Sequence, residues 1–436
     1  MKKYCIVGAG SRGISMFGED LVSHYRDVAQ LTGICDINPG RVAYATKRLG
    51  GEVRGFTDFD HMLDQVPCDV VIVTTKDATH DAYIIKAMRR GKEVITEKPM
   101  TTDADKCRRI LAAERETGQP LRVTFNYRYA PYKTEIKRLL GEGIVGEVHS
   151  VEFRWFLDTV HGADYFRRWH GQKRNSGGLL VHKATHHFDL INWWIDREPQ
   201  EVVAMGSRQY YTPARKPGHG TRCSDCQISQ DCEFYLDLSA HSDLHALYQE
   251  NEHYDHYYRD GCVFSEDIDI EDTMSALVRY PDNIQLTYAL TAATSFEGWQ
   301  VAFNGSLGRL EAFEPECFVP DGEVRRFSDR SASAHRRSVD WRAVNASSVK
   351  DSVEALSINF YPLFGGVKTF SVPHQRQGHG GGDRRLKDHL FRGVEDDPLG
   401  HAAGSRAGAM SILIGVAANQ SMAEGRMVRI EDLLKG

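Results

Sequence analysis

The chain has 436 residues, of which 41% are hydrophobic and 26% charged, and its formal net charge is −6. This length exceeds one ordinary core and predicts two or three domains of roughly 100 to 200 residues each. No apolar run of about eighteen residues is present, which argues against a membrane-spanning helix. Acidic and basic residues are interspersed, so no basic face is offered to nucleic acid. Lys2 and Lys3 lead directly into an apolar strand without room for a signal peptide, and we therefore expect a cytoplasmic protein.

The first predicted strand ends in a glycine-rich turn, and residues 3–13 read KYCIVGAGSRG. Gly8 allows a tight turn, Gly10 lets the backbone approach a pyrophosphate, and Gly13 lets the next helix pack closely on the sheet. The N–H groups at the helix N-terminus, at Ser11 and Arg12, would then face the phosphates. The pattern predicts a dinucleotide site; the alternative is a purely structural turn.

The second predicted strand, Leu31 to Cys35, ends in Asp36. A carboxylate at this position can accept both ribose hydroxyls of an adenosine and would repel a 2′-phosphate. The sequence therefore favours NAD over NADP as the cofactor.

Strand and helix signals alternate as far as Asn126, which predicts a doubly wound parallel sheet of the Rossmann type. Ligands of such sheets bind beyond the carboxyl ends of the strands. The polar residues predicted at these ends are Asp36, Thr74, Thr75, Glu97, Lys98 and Asn126.

After Asn126 the pattern changes to longer strands with period-two alternation, which is typical of an antiparallel sheet with one buried face. Pro281, Asp282 and Asn283 predict a hairpin turn between two such strands. We predict a Rossmann domain over residues 1–124 and a second α/β domain, with a large and mostly antiparallel sheet, over 125–436. Segments at about 212–262 and 328–349 lack periodicity and are predicted insertions.

Lys98 is the leading catalytic candidate, because a partly buried lysine at a strand end can exchange protons near neutrality. A solvated loop lysine is the alternative. A predicted helix with the sequence LLVHKATHHFDLINWW places His182, His186 and Asp189 on one stripe. Three interpretations of this stripe are open. The side chains could transfer a proton to a substrate hydroxyl, two histidines could bind zinc, or the stripe could be a set of polar groups that hydrogen-bond within the interface between domains.

Nine cysteines are present, and four fall in or near the first insertion as C-x2-C-x5-C plus a distant thiol. Cys223, Cys226, Cys232 and Cys262 have spacing that suits a structural zinc site, and less often an iron–sulfur cluster. A redox pair of free thiols is the alternative. His219, His241 or His245 could replace the fourth cysteine.

Several motifs in order resemble the Gfo/Idh/MocA family of glucose–fructose oxidoreductase, inositol dehydrogenase and related enzymes. They are KYCIVGAGSRG, VIVTTKDATH, VITEKPMTTD, VTFNYRYAPY, SGGLLVHKATHHFDLINWW and FNGSLGRLEAF. The resemblance implies a Rossmann domain followed by an α/β domain whose open sheet forms an oligomer interface, here a homodimer or homotetramer. It also implies that the nicotinamide lies between the two domains.

The resemblance implies a role for particular residues. Lys98 would transfer a proton beside the substrate hydroxyl, helped by His186, with Glu97 near the nicotinamide ribose. The family motif carries an aspartate where this chain has His182, and this departure alters the charge at the site. The predicted cofactor contacts are Gly8, Gly10, Ser11, Arg12, Gly13, Asp36, Thr74, Thr75, His80, Glu97 and Lys98. The resemblance implies substrate contacts at Asn126 and Arg128, and Tyr165 and Arg168 are predicted on a loop that could cover the substrate. Beside these, Lys183 could bind substrate or face water, and His379, in a second glycine-rich turn, could lie over the substrate or simply form a tight turn.

Polar side chains on several loops suit a sugar or cyclic polyol. We therefore predict an NAD-dependent oxidoreductase that moves a hydride between a hydroxyl-bearing carbon of such a substrate and nicotinamide. One alternative is a redox-neutral enzyme that cleaves or epimerises glycosides with tightly bound NAD. A second is a non-catalytic nucleotide sensor.

Overall fold

The computed structural model describes residues 1–317, 355–375, 378–394 and 396–435. These residues form a six-stranded sheet in the N-terminal part of the chain and a nine-stranded sheet in the rest. The predicted fold class is confirmed. The insertion predicted at 328–349 lies outside the described residues.

The N-terminal sheet is entirely parallel and has the strand order β3-β2-β1-β4-β5-β6. Its strands are β1 Lys2–Val7, β2 Ala29–Cys35, β3 Arg54–Phe56, β4 Val70–Val73, β5 Glu93–Thr96 and β6 Leu121–Val123. The order reverses between β1 and β4, so a crevice opens beyond the carboxyl ends of these two strands.

Helices alternate with these strands, as the sequence predicted, except that one short helix after β3 was not foreseen. They are Glu19–Val22, Pro39–Leu49, Phe59–Gln65, His80–Arg89 and Ala104–Thr117, and a π-helical turn, Arg12–Gly18, precedes the first. Side-chain caps begin three of them: Asn38, Asp58 and Asp103 each accept a backbone N–H three residues later. Such caps satisfy N–H groups that the helix itself leaves unpaired.

The second sheet is mixed, with the strand order β14-β13-β12-β11-β7-β10-β9-β8-β15. Its strands are β7 Val148–Asp158, β8 Glu201–Ser207, β9 Thr273–Arg279, β10 Gln285–Thr294, β11 Glu297–Gly305, β12 Gly308–Cys317, β13 Ala355–Pro362, β14 Lys368–Pro373 and β15 Val428–Arg429. Among its described pairs only β7 and β10 run parallel. The predicted hairpin joins β9 to β10, and Asp282 and Asn283 adopt positive φ in its turn.

One face of this sheet is buried by helices and the other is open. Trp155 on β7 and Trp299 on β11 are almost fully buried, whereas Met205 on β8 and Leu277 on β9 are 80% and 54% exposed. The helices of this part are Pro131–Gly141, Thr159–Arg167, Lys173–Ser176, Leu179–His182, Thr185–Ile195, Ser242–Leu244, Gly382–Arg392, Ser405–Glu424 and Ile430–Lys435. No helix within the described ranges combines the length and apolarity needed to cross a membrane.

The helix predicted from Gly178 to Trp194 is in fact two helices, and this prediction was wrong. The backbone N–H groups of Lys183 and Ala184 both donate to the carbonyl of Leu179, which interrupts the helical ladder. The packing partner is Gly415, where a Cβ would lie only 2.3 Å from the carbonyl oxygen of Leu180. The long helix Ser405–Glu424 therefore packs its backbone closely against the turn that carries His182.

The segment at 212–262 is irregular: it holds short helical stretches, among them Ser242–Leu244 and the π-helical His245–Gln249, and one isolated bridge between Arg222 and Gly261. We call its residues 242–260 the strap. The strap contacts the N-terminal domain through Tyr248, whose hydroxyl reaches Ser11, and the second domain through Tyr257, which accepts a hydrogen bond from Arg168.

Candidate active site

The turn after β1 can be built only with glycine at two positions. Gly8 has φ +104°, and a Cβ there would lie 2.6 Å from the carbonyl carbon of Thr74. A Cβ on Gly13 would lie 2.2 Å from the carbonyl oxygen of Gly8. The Thr74 hydroxyl donates to that same oxygen at 2.8 Å. The turn is thus pressed against the end of β4 at the crevice.

Asp36 stands at the end of β2 and is half-buried in a dense set of donors. It accepts hydrogen bonds from the backbone N–H of Ala9 at 2.8 Å and of Asn38 at 2.9 Å. Arg41 donates to it at 2.9 Å and to Asp255 of the strap at 2.5 Å. The carboxylate expected to bind ribose therefore has a guanidinium beside it.

Glu97 and Lys98 follow β5 directly. Glu97 accepts a hydrogen bond from Arg12 Nε at 2.8 Å, which links it to the glycine-rich turn. The Lys98 ammonium lies 3.4 Å from the carbonyl oxygen of His182 in the second domain. Burial lowers the pKa of Lys98, while Asp77 and Glu97 oppose that shift. The amine therefore deprotonates more readily than an exposed lysine.

His80 connects the two loops that surround the crevice. One ring nitrogen lies 2.9 Å from the carbonyl oxygen of Pro99 and the other 3.1 Å from that of Thr75. The side chain is buried, and burial lowers its pKa. A neutral ring donates to only one of the two carbonyls. These contacts fix the loop of Lys98 against the loop of Thr75.

Asp77 and His182 form a buried pair between the domains. Asp77 Oδ2 and His182 Nδ1 are 2.5 Å apart. Burial raises the pKa of Asp77 and lowers the pKa of His182. One proton shared along this contact satisfies both side chains without a net buried charge.

His186 lies on the second of the two helices, with its ring stacked on Tyr127 at 4.2 Å between centroids. Its Nδ1 is buried and has no hydrogen-bond partner among the described residues. Burial, and then the charge of Lys98, lowers the pKa of His186. Lys183 lies nearby, with its ammonium 3.4 Å from the Tyr127 hydroxyl and 4.2 Å from the centre of the Trp155 ring.

Asn126 lies at the site through contacts with the C-terminal glycine-rich turn. Its amide nitrogen lies 2.9 Å from His379 Nδ1 and 2.6 Å from Asp383 Oδ1. The oxygen of its side-chain amide, Oδ1, is buried and has no hydrogen-bond partner in the part of the chain that the structure describes. His379 adopts φ +51° and also contacts Asp383 at 2.9 Å. An unsatisfied acceptor here suits a ligand that donates a hydrogen bond.

Arg128 is held by a bidentate ion pair with Asp189, at 2.8 and 2.6 Å, and donates to the carbonyl of Gly400 at 3.1 Å. Asp189, which the sequence placed on one stripe with His182 and His186, is thus committed to Arg128. The contacts give Arg128 a positioning role, because they anchor the helix Thr185–Ile195 to the Asn126–Tyr129 turn.

Tyr165 and Arg168 lie on or just after the helix Thr159–Arg167. The Tyr165 hydroxyl contacts His161 Nε2 at 2.9 Å, and its ring lies 5.3 Å from that of His182. His170 follows, stacked on Trp169, with its ring centroid 4.4 Å from that of His182. This segment therefore borders the Asp77–His182 pair. Tyr165 lies in a helix rather than in a loop, and its contact with substrate stays a prediction.

The four cysteines of the first insertion, Cys223, Cys226, Cys232 and Cys262, line one small cavity with Arg167. Arg167 donates to Cys223 Sγ at 3.0 Å, and the N–H of Gly220 lies 3.3 Å from Cys226 Sγ. Within the described ranges, no group of three or more His, Cys, Asp or Glu side chains has the arrangement of a metal site. The zinc site stays a prediction.

Sequence reasoning missed four residues near this centre: Asp77, His170, Tyr248 and Arg259. Asp77 carried a weak signal, since it follows β4 within the motif VIVTTKDATH. Tyr248 and Arg259 carried none, because they belong to the insertion without periodicity. Only the three-dimensional structure brings them beside Ser11 and Arg168.

The geometry defines a protein with an N-terminal Rossmann-type parallel sheet, a second α/β domain and a polar centre between the two. Residues 2–125 match the model of the oxidoreductase family with an NAD-binding Rossmann fold. Residues 137–430 match the C-terminal alpha/beta domain of the same family. The chain belongs to the Gfo/Idh/MocA oxidoreductase family, as the sequence motifs indicated.

The chain is 35% identical to a Bacillus subtilis protein named "Putative oxidoreductase YteT", over 100% of this chain and 99% of the relative. It is 24% identical to an inositol 2-dehydrogenase/D-chiro-inositol 3-dehydrogenase of Lactiplantibacillus plantarum, over 47% of this chain and 57% of that one. In structure it is similar to scyllo-inositol dehydrogenase of Lactobacillus casei with bound NAD(H) and scyllo-inositol. The TM-score is 0.62 at 16% identity, and the match covers 99% of both chains.

The residues of the crevice fit an adenine dinucleotide. The turn at Gly8 and Gly13 leaves no space for a Cβ, and it ends at the N-terminus of a helical segment, where N–H groups favour phosphate. Asp36 stands at the end of the neighbouring strand, where a ribose is expected. The Lys98 amine, the Asp77–His182 pair and His186 lie on the side of the second domain.

Proposed function

We propose that the protein is an NAD-dependent dehydrogenase acting on a hydroxyl-bearing carbon of a sugar or cyclic polyol. Its support is the meeting of a buried lysine amine with the histidine-bearing turn of the second domain, next to a dinucleotide crevice. Bound NAD⁺ supplies a hydride acceptor for the substrate carbon. Inositol dehydrogenases among the relatives also support a polyol substrate.

In this proposal Lys98 removes the proton of the substrate hydroxyl while the carbon is oxidised, and returns it in the reverse direction. Its lowered pKa favours the neutral amine that this role requires. His186 assists through its unpartnered Nδ1, and Asn126 through its unpartnered amide oxygen, which can accept a hydrogen bond from a second hydroxyl. The Asp77–His182 pair holds the turn against which the Lys98 amine lies.

Replacing Lys98 by methionine tests the proposal. The variant should keep its affinity for NAD, while turnover falls about a hundredfold or more, which is the usual contribution of one general acid–base group. Reduced-nicotinamide absorbance with a panel of sugars and inositols measures turnover, and quenching of tryptophan fluorescence measures NAD binding. Lys47→Met, on the exposed face of the helix Pro39–Leu49, is the matched control. Unchanged turnover in the Lys98 variant would remove this residue from the mechanism.

A redox-neutral cycle with retained NAD is the second candidate, and the strap favours it. Tyr248, Asn251 and Asp255 of the strap contact the phosphate turn and the loop that follows Asp36, so the strap covers the nucleotide crevice. Purified protein that carries stoichiometric nucleotide, converts a glycoside and never releases reduced cofactor would establish the redox-neutral cycle. Net release of NADH would establish the dehydrogenase.

We further propose that the protein forms a homodimer or homotetramer through the open face of the nine-stranded sheet. The exposed apolar side chains of Met205 and Leu277 lie on adjacent strands of that face. Apolar patches of this kind mark contact surfaces between proteins.

A further inference from the structure

Arg259, at the C-terminal end of the strap, is buried with unused hydrogen-bonding capacity. Its side chain is 2% exposed. Its Nε and Nη1 have no hydrogen-bond partner among the described residues. Its Nη2 lies 3.6 Å from Asp164 Oδ1, which is beyond hydrogen-bonding distance. A buried guanidinium with free donors is costly unless an acceptor reaches it.

A second guanidinium shares the same counter-charge. Arg168 donates to Asp164 Oδ2 at 2.7 Å and to the Tyr257 hydroxyl at 3.0 Å. Burial raises the pKa of Tyr257, but the charges of Arg168 and Arg259, together with hydrogen bonds from both guanidinium groups to its hydroxyl, outweigh that effect and lower it. Arg259 therefore has the Tyr257 hydroxyl as a partner, while its Nε and Nη1 remain unpaired among the described residues. Within ion-pair distance of these two guanidinium groups the described residues offer one carboxylate, that of Asp164, so the pair carries a local surplus of one positive charge.

This cationic pair borders the proposed proton-transfer centre. Burial, then the charges of His182, Arg168, Lys98 and Arg259, lowers the pKa of His170, so all four groups lie within electrostatic range of that ring. The exposed ammonium of Lys76 lies 5.7 Å from the centre of the Tyr257 ring, at the outer side of the pair. The arginine pair therefore lies near both the exposed Lys76 ammonium and the His170 ring that borders the Asp77–His182 pair.

We propose that Arg259 and Arg168 bind an anionic oxygen group of the substrate, and that the substrate is an acidic sugar carrying a carboxylate. This inference rests on the proposed function and specifies its substrate class. A carboxylate supplies one negative charge, which matches the surplus, whereas a phosphate ester brings nearly two. Guanidinium groups are the side chains best suited to hold such oxygens.

The test compares acidic and neutral sugars as matched pairs, with the full-length protein saturated with NAD. D-galacturonate is paired with D-galactose, and D-glucuronate with D-glucose; galactose 1-phosphate represents the phosphate source. For the preferred pair we expect kcat/KM to be about tenfold to a hundredfold higher for the acid, in line with the contribution of a charge-assisted hydrogen bond. Equal values for acid and neutral partners would overturn the proposal, and a preference for the sugar phosphate would overturn the carboxylate assignment.

Arg259→Gln should reduce the preference for the acid about tenfold or more, and Arg259→Lys, which keeps the charge, should retain part of it. Thermal melting shows whether the glutamine variant folds. If it does not, the preference for the acid is measured with the lysine variant instead. Arg426→Gln, at an exposed arginine near the C-terminus, is the control. Variants that keep the full preference would overturn the role of Arg259.

Binding separates this inference from the proposed function. The melting temperature of the protein is measured with each sugar, without turnover. If no sugar is oxidised but uronates still stabilise the wild type and not Arg259→Gln, the acidic-sugar site stands and the dehydrogenase proposal fails. If neutral sugars are oxidised and uronates neither bind nor react, the dehydrogenase proposal stands and the acidic-sugar site fails.

Discussion

Asp77 and His182 bring a carboxylate and an imidazole from different domains to within 2.5 Å of each other. The family resemblance implied an aspartate at position 182, and here that position is a histidine. The carboxylate comes instead from the turn after β4, more than a hundred positions earlier in the chain. The site therefore regains an acidic group, at a different position in the chain.

Asp77→Asn should lower the pKa of Lys98 further. Asp77 is the strongest of the groups that oppose the lowering of that pKa by burial, and the amide carries no charge. The limb of the pH profile of kcat/KM that reports deprotonation of Lys98 should therefore move to lower pH. Asp64→Asn, at an exposed position after β3, is the control. An unmoved limb would show that Asp77 is uncharged in the resting enzyme.

Asp36→Ser should relax the preference for NAD. The change removes the carboxylate that repels a 2′-phosphate and leaves Arg41 beside the ribose site. We expect the ratio of NADP to NAD affinity to rise about tenfold or more, the effect of a hydrogen bond to a charged group. Titration of protein fluorescence with each nucleotide measures both affinities, and Glu52→Ser provides a surface control. A variant that still discriminates as before would contradict the ribose assignment.

Single residues could be predicted where a short stretch of chain defines their role. Gly8, Gly13 and Asp36 follow from strand ends and turn geometry, and all three lie at the crevice. The pairing of Arg128 with Asp189 could not be foreseen, because it depends on how two distant elements pack. The burial of Arg259, with its unpaired Nε and Nη1 donors, could not be predicted either, because an irregular segment has no periodic pattern that marks buried positions.

At the scale of elements, the parallel sheet and its helices followed the predicted order, because βα alternation is a strong local pattern. The break between the helices Leu179–His182 and Thr185–Ile195 was not visible in the apolar periodicity. It arises where the backbone of the long helix passes Leu180 at Gly415. Tertiary contact, rather than local propensity, ends the first helix.

The strap is the element that most changes the expected nucleotide site. Tyr248→Phe should speed NAD association about twofold to tenfold. In the structure the Tyr248 hydroxyl accepts a hydrogen bond from the Ser11 backbone N–H at 2.9 Å and lies 3.0 Å from the Ser11 hydroxyl. That amide can serve the phenol or a phosphate oxygen, and one hydrogen bond contributes about 0.5 to 1.5 kcal/mol. Stopped-flow fluorescence measures the rate, with Tyr254→Phe as the exposed control from the same segment. Slower or weaker binding would instead make Tyr248 a ligand of the nucleotide.

At the scale of the whole molecule, the nine-stranded sheet leaves one face open. Met205→Glu should shift the particle measured by light scattering toward a single chain, because a charge in an apolar contact is costly. Val394→Glu, at an exposed apolar residue after the helix Gly382–Arg392, should leave the assembly unchanged. A wild-type protein that is already monomeric at micromolar concentration would contradict the proposed interface.

The strap also ties the two halves of the molecule together. It contacts Ser11, Asn38 and Arg41 on one side and Arg168 and Asp164 on the other. Hinge bending between the sheets would pull on both sets of contacts at once. Entry of ligands into the cleft is thus expected to require local detachment of this one segment. The same opening would then let both the nucleotide and the substrate enter.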